Sequence, residues 1–160
     1  MKKIVLIIVM LVLVTSGAFC QTVTFNDLLH FLNEKTEMEY IHSRGFKQYG
    51  SQTFSGRHKV TFYAINDQSP KTETLAMGYG VTEKNGVFLH VVGYTANDQA
   101  AANRLIKEIT RAGFALTRLN PEKKWDVYRF EKGNLYVQVV ISHESAYPNQ
   151  VNINYRKYPE

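Results

Sequence analysis

Five histidines, His30, His42, His58, His90 and His143, are the side chains of this sequence best suited to hold a metal or move a proton. No two of them stand two, three or four positions apart, whereas a metal centre needs three or four converging ligands, usually including a close-spaced pair. His143 and Glu144 are neighbours, but successive residues of a strand face opposite ways. Glu34, Glu37 and Glu39 cluster beside Lys35. A solvated helix face accounts for them more simply than the two carboxylates across a cleft that glycoside hydrolysis requires.

The nucleophile and phosphate motifs fare no better. Gly50-Ser51-Gln52 and Phe54-Ser55-Gly56 lack the G-x-S-x-G elbow. Gly78-Tyr79-Gly80 and Asn85-Gly86 precede no helix N-terminus, so they do not form a phosphate loop, and Asn66 to Pro70 is ordinary turn chemistry. The expectation is therefore a protein with no catalytic residues, no metal and no cofactor. A small cell-envelope hydrolase is the competing reading, and it would have to bring His90, His143 and Glu144 together.

Aromatic side chains are the more telling group: ten tyrosines, nine phenylalanines and one tryptophan in 160 residues. Tyr128, Phe130, Tyr136, Tyr155, Arg156 and Tyr158, with Arg129 close by, are the predicted binding residues, because tyrosine and arginine are what interfaces favour. The plainer account of the same residues is that aromatic side chains suit strands.

The elements that would carry them follow from periodicity. Thr24-Phe25-Asn26-Asp27 and Thr95-Ala96-Asn97-Asp98 share the form T-x-N-D, and each precedes a helical stretch. A threonine cap with an acid three residues later satisfies orphan amides and suits the helix dipole. Val23 and Leu28 occupy the positions of a hydrophobic staple at the first of them. Ile41…Gly45-Phe46 matches Ile109…Gly113-Phe114, with glycine where a left-handed helix stop is wanted. Ala102, Leu105, Ile106, Ile109 and Ala112 form one apolar face on the second helix. The first helix has two stripes, Leu28, Leu29 and Leu32, then Met38 and Ile41, which predicts a break near Thr36.

After each Gly-Phe the period becomes two, predicting strands at 47–54, 59–65, 74–81 and 87–93, then at 115–118, 125–130, 134–142 and 150–157. Asn85-Gly86, Lys132-Gly133 and Pro148-Asn149 supply turns. In the third strand Leu75, Met77, Tyr79 and Val81 are bulky, while Ala76, Gly78 and Gly80 leave the other face bare. That pattern favours a bulge or bend over the approach of a ligand. The predicted fold is α+β and two-layered: an antiparallel sheet of about eight strands with two helices on one face, arranged as a tandem α-β-β-β-β repeat over 23–93 and 94–160.

Met1-Lys2-Lys3 followed by an apolar run from Ile4 to Val14 reads as a signal peptide over 1–20, since the run is too short to span a bilayer. Cleavage before Gln21, or before Phe19, leaves one domain over 21–160. A lipid anchor on Cys20 is the weaker alternative, because Gly17 and bulky Phe19 stand where a lipoprotein signal wants a leucine-like and a small residue. With Cys20 removed the chain has no thiol, hence no disulfide and no cysteine nucleophile. Without Lys2 and Lys3, 17 basic residues face 14 acidic ones. So mild a balance, with no run of four like charges, points neither to nucleic acid nor to a membrane surface.

In layout alone, two halves of helix plus antiparallel strands resemble the tandem-repeat inhibitors of secreted β-lactamases, which grip another protein with a concave sheet. None of that family's motifs is present, and its cysteines are missing. The predicted function is an exported, non-catalytic module, periplasmic or secreted, that binds a protein partner as an inhibitor, immunity protein or envelope accessory would. Binding of a small ligand or glycan on a tyrosine-rich sheet face is the alternative.

Overall fold

The computed structural model describes residues 23–33, 38–54, 58–65, 73–82, 88–144 and 147–157. The leader with Cys20, the break near Thr36, the loop from Asn66 to Pro70, the Asn85-Gly86 turn and Tyr158 lie outside them. Helices α1 (Phe25–Phe31) and α2 (Met38–Ser43) lead into strands β1 (Lys47–Phe54), β2 (His58–Ala64), β3 (Glu73–Thr82) and β4 (Phe88–Ala96). Helix α3 (Gln99–Arg111) then leads into β5 (Ala115–Pro121), β6 (Trp125–Lys132), β7 (Leu135–Ser142) and β8 (Asn149–Lys157).

All eight strands form one antiparallel sheet in the order β1-β2-β3-β4-β8-β7-β6-β5. Each half of the chain supplies a four-stranded meander. The two join where β4 runs beside β8, from Phe88 opposite Lys157 to Ala96 opposite Asn149. The class is the α+β expected, but with three helices among the described residues rather than two, because the first helical stretch is divided.

The first cap forms as its sequence dictates. Thr24 is the N-cap of α1, its hydroxyl accepting from the Asp27 amide while the Asp27 carboxylate accepts from the Thr24 amide. Val23 and Leu28 are both fully buried, as a staple requires. The Phe25 amide, one of the free donors of the first turn, is met by Glu108 of α3 at 2.7 Å. At the other end of the helical stretch Gly45 sits at φ +83°, with Gly45 N–H donating to His42 and Phe46 N–H to Ile41. Gly113, at φ +81°, repeats the arrangement with Thr110 and Ile109. These are the paired bonds of the Schellman stop, and Lys132 adds a bond to the Ala112 carbonyl at 2.7 Å.

The second T-x-N-D departs from the first. Strand β4 continues through Thr95 and Ala96, because Tyr94 and Ala96 are buried against the helices and Thr95 bonds to Thr74 across the ladder. The N-cap of α3 is Asp98, which accepts from the Ala100 amide at 2.9 Å. The two motifs therefore do not mark equivalent positions.

One face of the sheet and the inward faces of the helices share a single core. Tyr63, Leu75, Met77, Val92, Tyr94, Phe130, Val137, Val139, Val151 and Ile153 come from the sheet; Leu28, Phe31, Ile41, Ala102, Leu105 and Ile109 come from the helices. Asp27, buried within this layer, ties α1 to α2: its Oδ1 accepts from the Tyr40 hydroxyl at 2.6 Å and pairs with Arg44 at 2.8 Å. Both edge strands carry an irregularity, between Gln48 and Gly50 in β1 and between Leu116 and Arg118 in β5. Such bulges discourage edge-to-edge pairing. A third shift, between Gly78 and Val81 of β3, is the bulge expected of the bare strand.

Candidate functional site

The register of the ladders defines what the face away from the described helices, here the helix-free face, presents. Three rows cross all eight strands. One reads Lys47, Ala64, Thr74, Thr95, Gln150, Val140, Val127 and Asn120 from β1 to β5; the next reads Gly50, Phe62, Ala76, Gly93, Asn152, Gln138, Arg129 and Arg118. The third reads Gln52, Val60, Gly78, Val91, Asn154, Tyr136, Glu131 and Ala115. Strands β2–β4 thus present mostly small or apolar side chains with two threonines, and the β8–β5 side carries amides, charge and aromatic rings.

The glycines in the middle are already roofed by neighbours. A methyl on Gly93 would stand 3.1 Å from Asn152 Oδ1, and one on Gly78 would stand 3.2 Å from Val60 Cγ2. Side chains of this face, rather than a ligand, occupy the space that glycine leaves.

Two shallow depressions adjoin on the β6–β8 side and share Gln138. The first, about 330 Å³, is walled by Trp125, Val127, Val140, Tyr147 and Pro148, with Gln138, Ser142 and Gln150 as its polar members. The second, about 350 Å³, is lined by Arg129, Glu131, Tyr136 and Asn154 along with Gln138. Next to it Arg118 and Arg129 are direct cross-strand partners, both exposed. Like charges placed opposite one another cost stability, and the Arg118 guanidinium is held by Asn120 at 2.8 Å rather than by an acid.

Where β5 turns into β6 and β7 into β8, the polar groups satisfy one another. The Trp125 indole N–H donates to Glu122 at 2.6 Å, Lys124 pairs with Glu144 at 3.5 Å, and the Lys124 ammonium lies 6.0 Å from the Tyr147 ring centre. On the opposite side of β6, Asp126 pairs with His143 at 3.1 Å. That hydrogen bond, with the aspartate charge behind it, holds the His143 imidazole above its ordinary value of 6.5.

Of the residues predicted to bind, the structure brings only Tyr136 to this face among those whose side chains are described. Phe130 is 2 % exposed and packs in the core opposite Val137, so it is a structural residue. Tyr128 stacks on Phe130 at 6.5 Å, and Tyr155 meets the His90 ring edge-on at 6.0 Å; both face the helices. Arg156 pairs with Leu89 in the β4–β8 ladder, and Tyr158 is outside the described residues. Trp125, Tyr147, Gln138 and Gln150 are not among the residues that sequence points to. The signal that finds Trp125 is parity, since it stands an odd number of positions from core-facing Phe130.

The catalytic grouping of the competing reading does not assemble. His90 lies level with Tyr155 and Leu135, whereas His143 is eight residues further along β7, about 26 Å at ~3.3 Å per residue. Catalytic partners must come within hydrogen-bond reach. Glu34 and Glu37 lie outside the described residues, and among those described no three His, Cys, Asp or Glu side chains gather as a metal site would need. No described helix is long and apolar enough to cross a membrane. Set against known families, curated proteins and solved structures, the chain matches none.

Proposed function

We propose that this chain is an exported, non-catalytic module that binds a protein partner through the helix-free face of its sheet, as an inhibitor, immunity protein or envelope accessory does. The observation that carries the reading is the size and chemistry of that face. Seven interstrand steps of about 4.8 Å and strands of about seven residues give a footprint of roughly 800 Å², the area each partner contributes to a standard protein–protein interface. Within it, Trp125, Tyr136, Tyr147, Arg118 and Arg129 supply the side chains that dominate binding energy at such interfaces. The paired arginines favour a partner with carboxylates opposite β5 and β6, and relief of their mutual repulsion adds to the gain on docking. Export is supported by the leader pattern of residues 1–20.

The test is affinity capture from an envelope fraction with the wild type, with Arg129→Glu and Tyr136→Ala on the helix-free face, and with Lys107→Glu on the outer side of α3. A partner recovered by the wild type and by Lys107→Glu, but lost with both face variants, supports the reading. Equal recovery by all four proteins, or nothing above background with the wild type, refutes it.

A further inference from the structure

We infer that the depression between Trp125 and Tyr147 is a subsite for a neutral pyranose ring. The inference rests on reading the helix-free face as a binding surface, and adds a ligand class at one end of it. Its walls are largely apolar, made by the rings of Trp125 and Tyr147 and the side chains of Val127, Val140 and Pro148. The indole cannot turn freely, because its N–H is fixed on Glu122 at 2.6 Å, and Tyr147 is half exposed at the rim. At about 330 Å³ the space lies at the small end of the range of ligand pockets.

Two features choose a sugar over an apolar side chain or an ion. The side-chain amides of Gln138 and Gln150 border the depression and form no hydrogen bond among the described residues. An aliphatic or aromatic guest would bury them unsatisfied, which costs more than its contacts return at so shallow a site. A pyranose meets both demands at once, since its axial C–H face stacks on an aromatic ring while its equatorial hydroxyls donate to and accept from amides. Charge disfavours ionic ligands: no charged side chain lines the depression, and of those beside it Glu122 accepts from the Trp125 indole while Lys124 and Glu144 are paired with each other. On the other side of Gln138, Arg129 and Glu131 line the second depression instead.

Trp125 is the chain's one tryptophan, so its emission reports on this depression alone. The experiment titrates the protein with cellobiose, maltose, lactose, mannobiose and chitobiose up to their solubility limits, with a glucuronate disaccharide as the charged comparison. At least one neutral disaccharide should give a saturable change in Trp125 emission with millimolar affinity, and the glucuronate should bind more weakly. Gln138→Leu and Gln150→Leu, checked for unchanged thermal unfolding, should each weaken that binding about three- to tenfold. No saturable change with any neutral sugar overturns the inference, as does a change that neither glutamine variant weakens. Should the sugars fail while Arg129→Glu still abolishes partner capture, the protein-binding reading survives and the subsite falls. Sugar binding without any protein partner keeps the subsite and removes the protein-binding reading.

Discussion

Replacing Asp27 by asparagine tests how α1 and α2 are held to each other. The substitution keeps the volume, so no cavity opens, and what is lost is one acceptor and the charge. Asp27 is 1 % exposed and receives four donors: the Tyr40 hydroxyl at 2.6 Å, Arg44 at 2.8 Å, the Thr24 amide at 2.9 Å and the Thr24 hydroxyl at 2.7 Å. An asparagine can accept on one side only, so one pair of donors faces its NH₂ group instead. Removing one member of a buried pair costs about 3–5 kcal/mol. The Arg44 side chain is 29 % exposed and can return its charge to water, which puts Asp27→Asn near the lower end, about 3 kcal/mol. For a domain of this length that is a fall in Tm of about 9 °C. The pH dependence has a definite sign. Burial alone would raise the Asp27 carboxyl, but the Tyr40 hydroxyl, the backbone and side chain of Thr24, and Arg44 outweigh it and hold the group below 3.8. A depressed folded-state pKa contributes stability that is complete above the unfolded value, near pH 4, and is lost as pH falls through the folded one. Urea unfolding followed by circular dichroism should therefore show the gap between wild type and Asp27→Asn at neutral pH, closing in acid. A gap under about 1 kcal/mol at neutral pH, or one that persists unchanged as Asp27 is protonated, refutes the account.

Phe130→Ala should destabilise by about 3–5 kcal/mol, as removal of a buried aromatic does, and any binding defect should track the unfolded fraction in a thermal melt. Gly113→Ala puts a Cβ at φ +81° and should cost about 1 kcal/mol in denaturant unfolding, since the left-handed penalty exceeds the stabilisation gained from the lower entropy of the unfolded chain. In an NMR titration His143 should lose its proton above 6.5, and Asp126→Asn should bring it back toward that value; an unchanged midpoint would mean the pair does not form in solution. Because the His143 value is raised, the attraction is present at acidic pH and fades as pH rises through it.

Much of the architecture is legible in the sequence because turn chemistry and alternation agree with packing. The β1 boundaries, the two glycine stops and the apolar face of α3 follow from spacing alone. Strand β4 reads too short because Thr95 to Asp98 spells a cap equally well; only the burial of Tyr94 and Ala96 decides that the strand wins. The candidate site is harder to see for a similar reason. Strand β6 offers apolar side chains on both sides, Trp125 and Val127 on one and Tyr128 and Phe130 on the other, so alternation separates the faces without saying which is inward. The choice is made by Val137 and Val139 of the neighbouring strand, which stand opposite Phe130 and Tyr128 and pack with them against the helices. Tyr147 and Trp125 meet only through two turns, which no local pattern brings together.

The seam between β4 and β8 has a consequence for how the molecule comes into being. The strand that completes the centre of the sheet, β8, is the last of the described strands in chain order, and its partner β4 lies some sixty residues before it. Neither meander can bury its inner face fully until that strand arrives, so folding waits on a long-range closure and is expected to be slow. Until that pairing forms, the apolar inner faces of both halves stay open to water, and β4 and β8 each carry an unpaired edge.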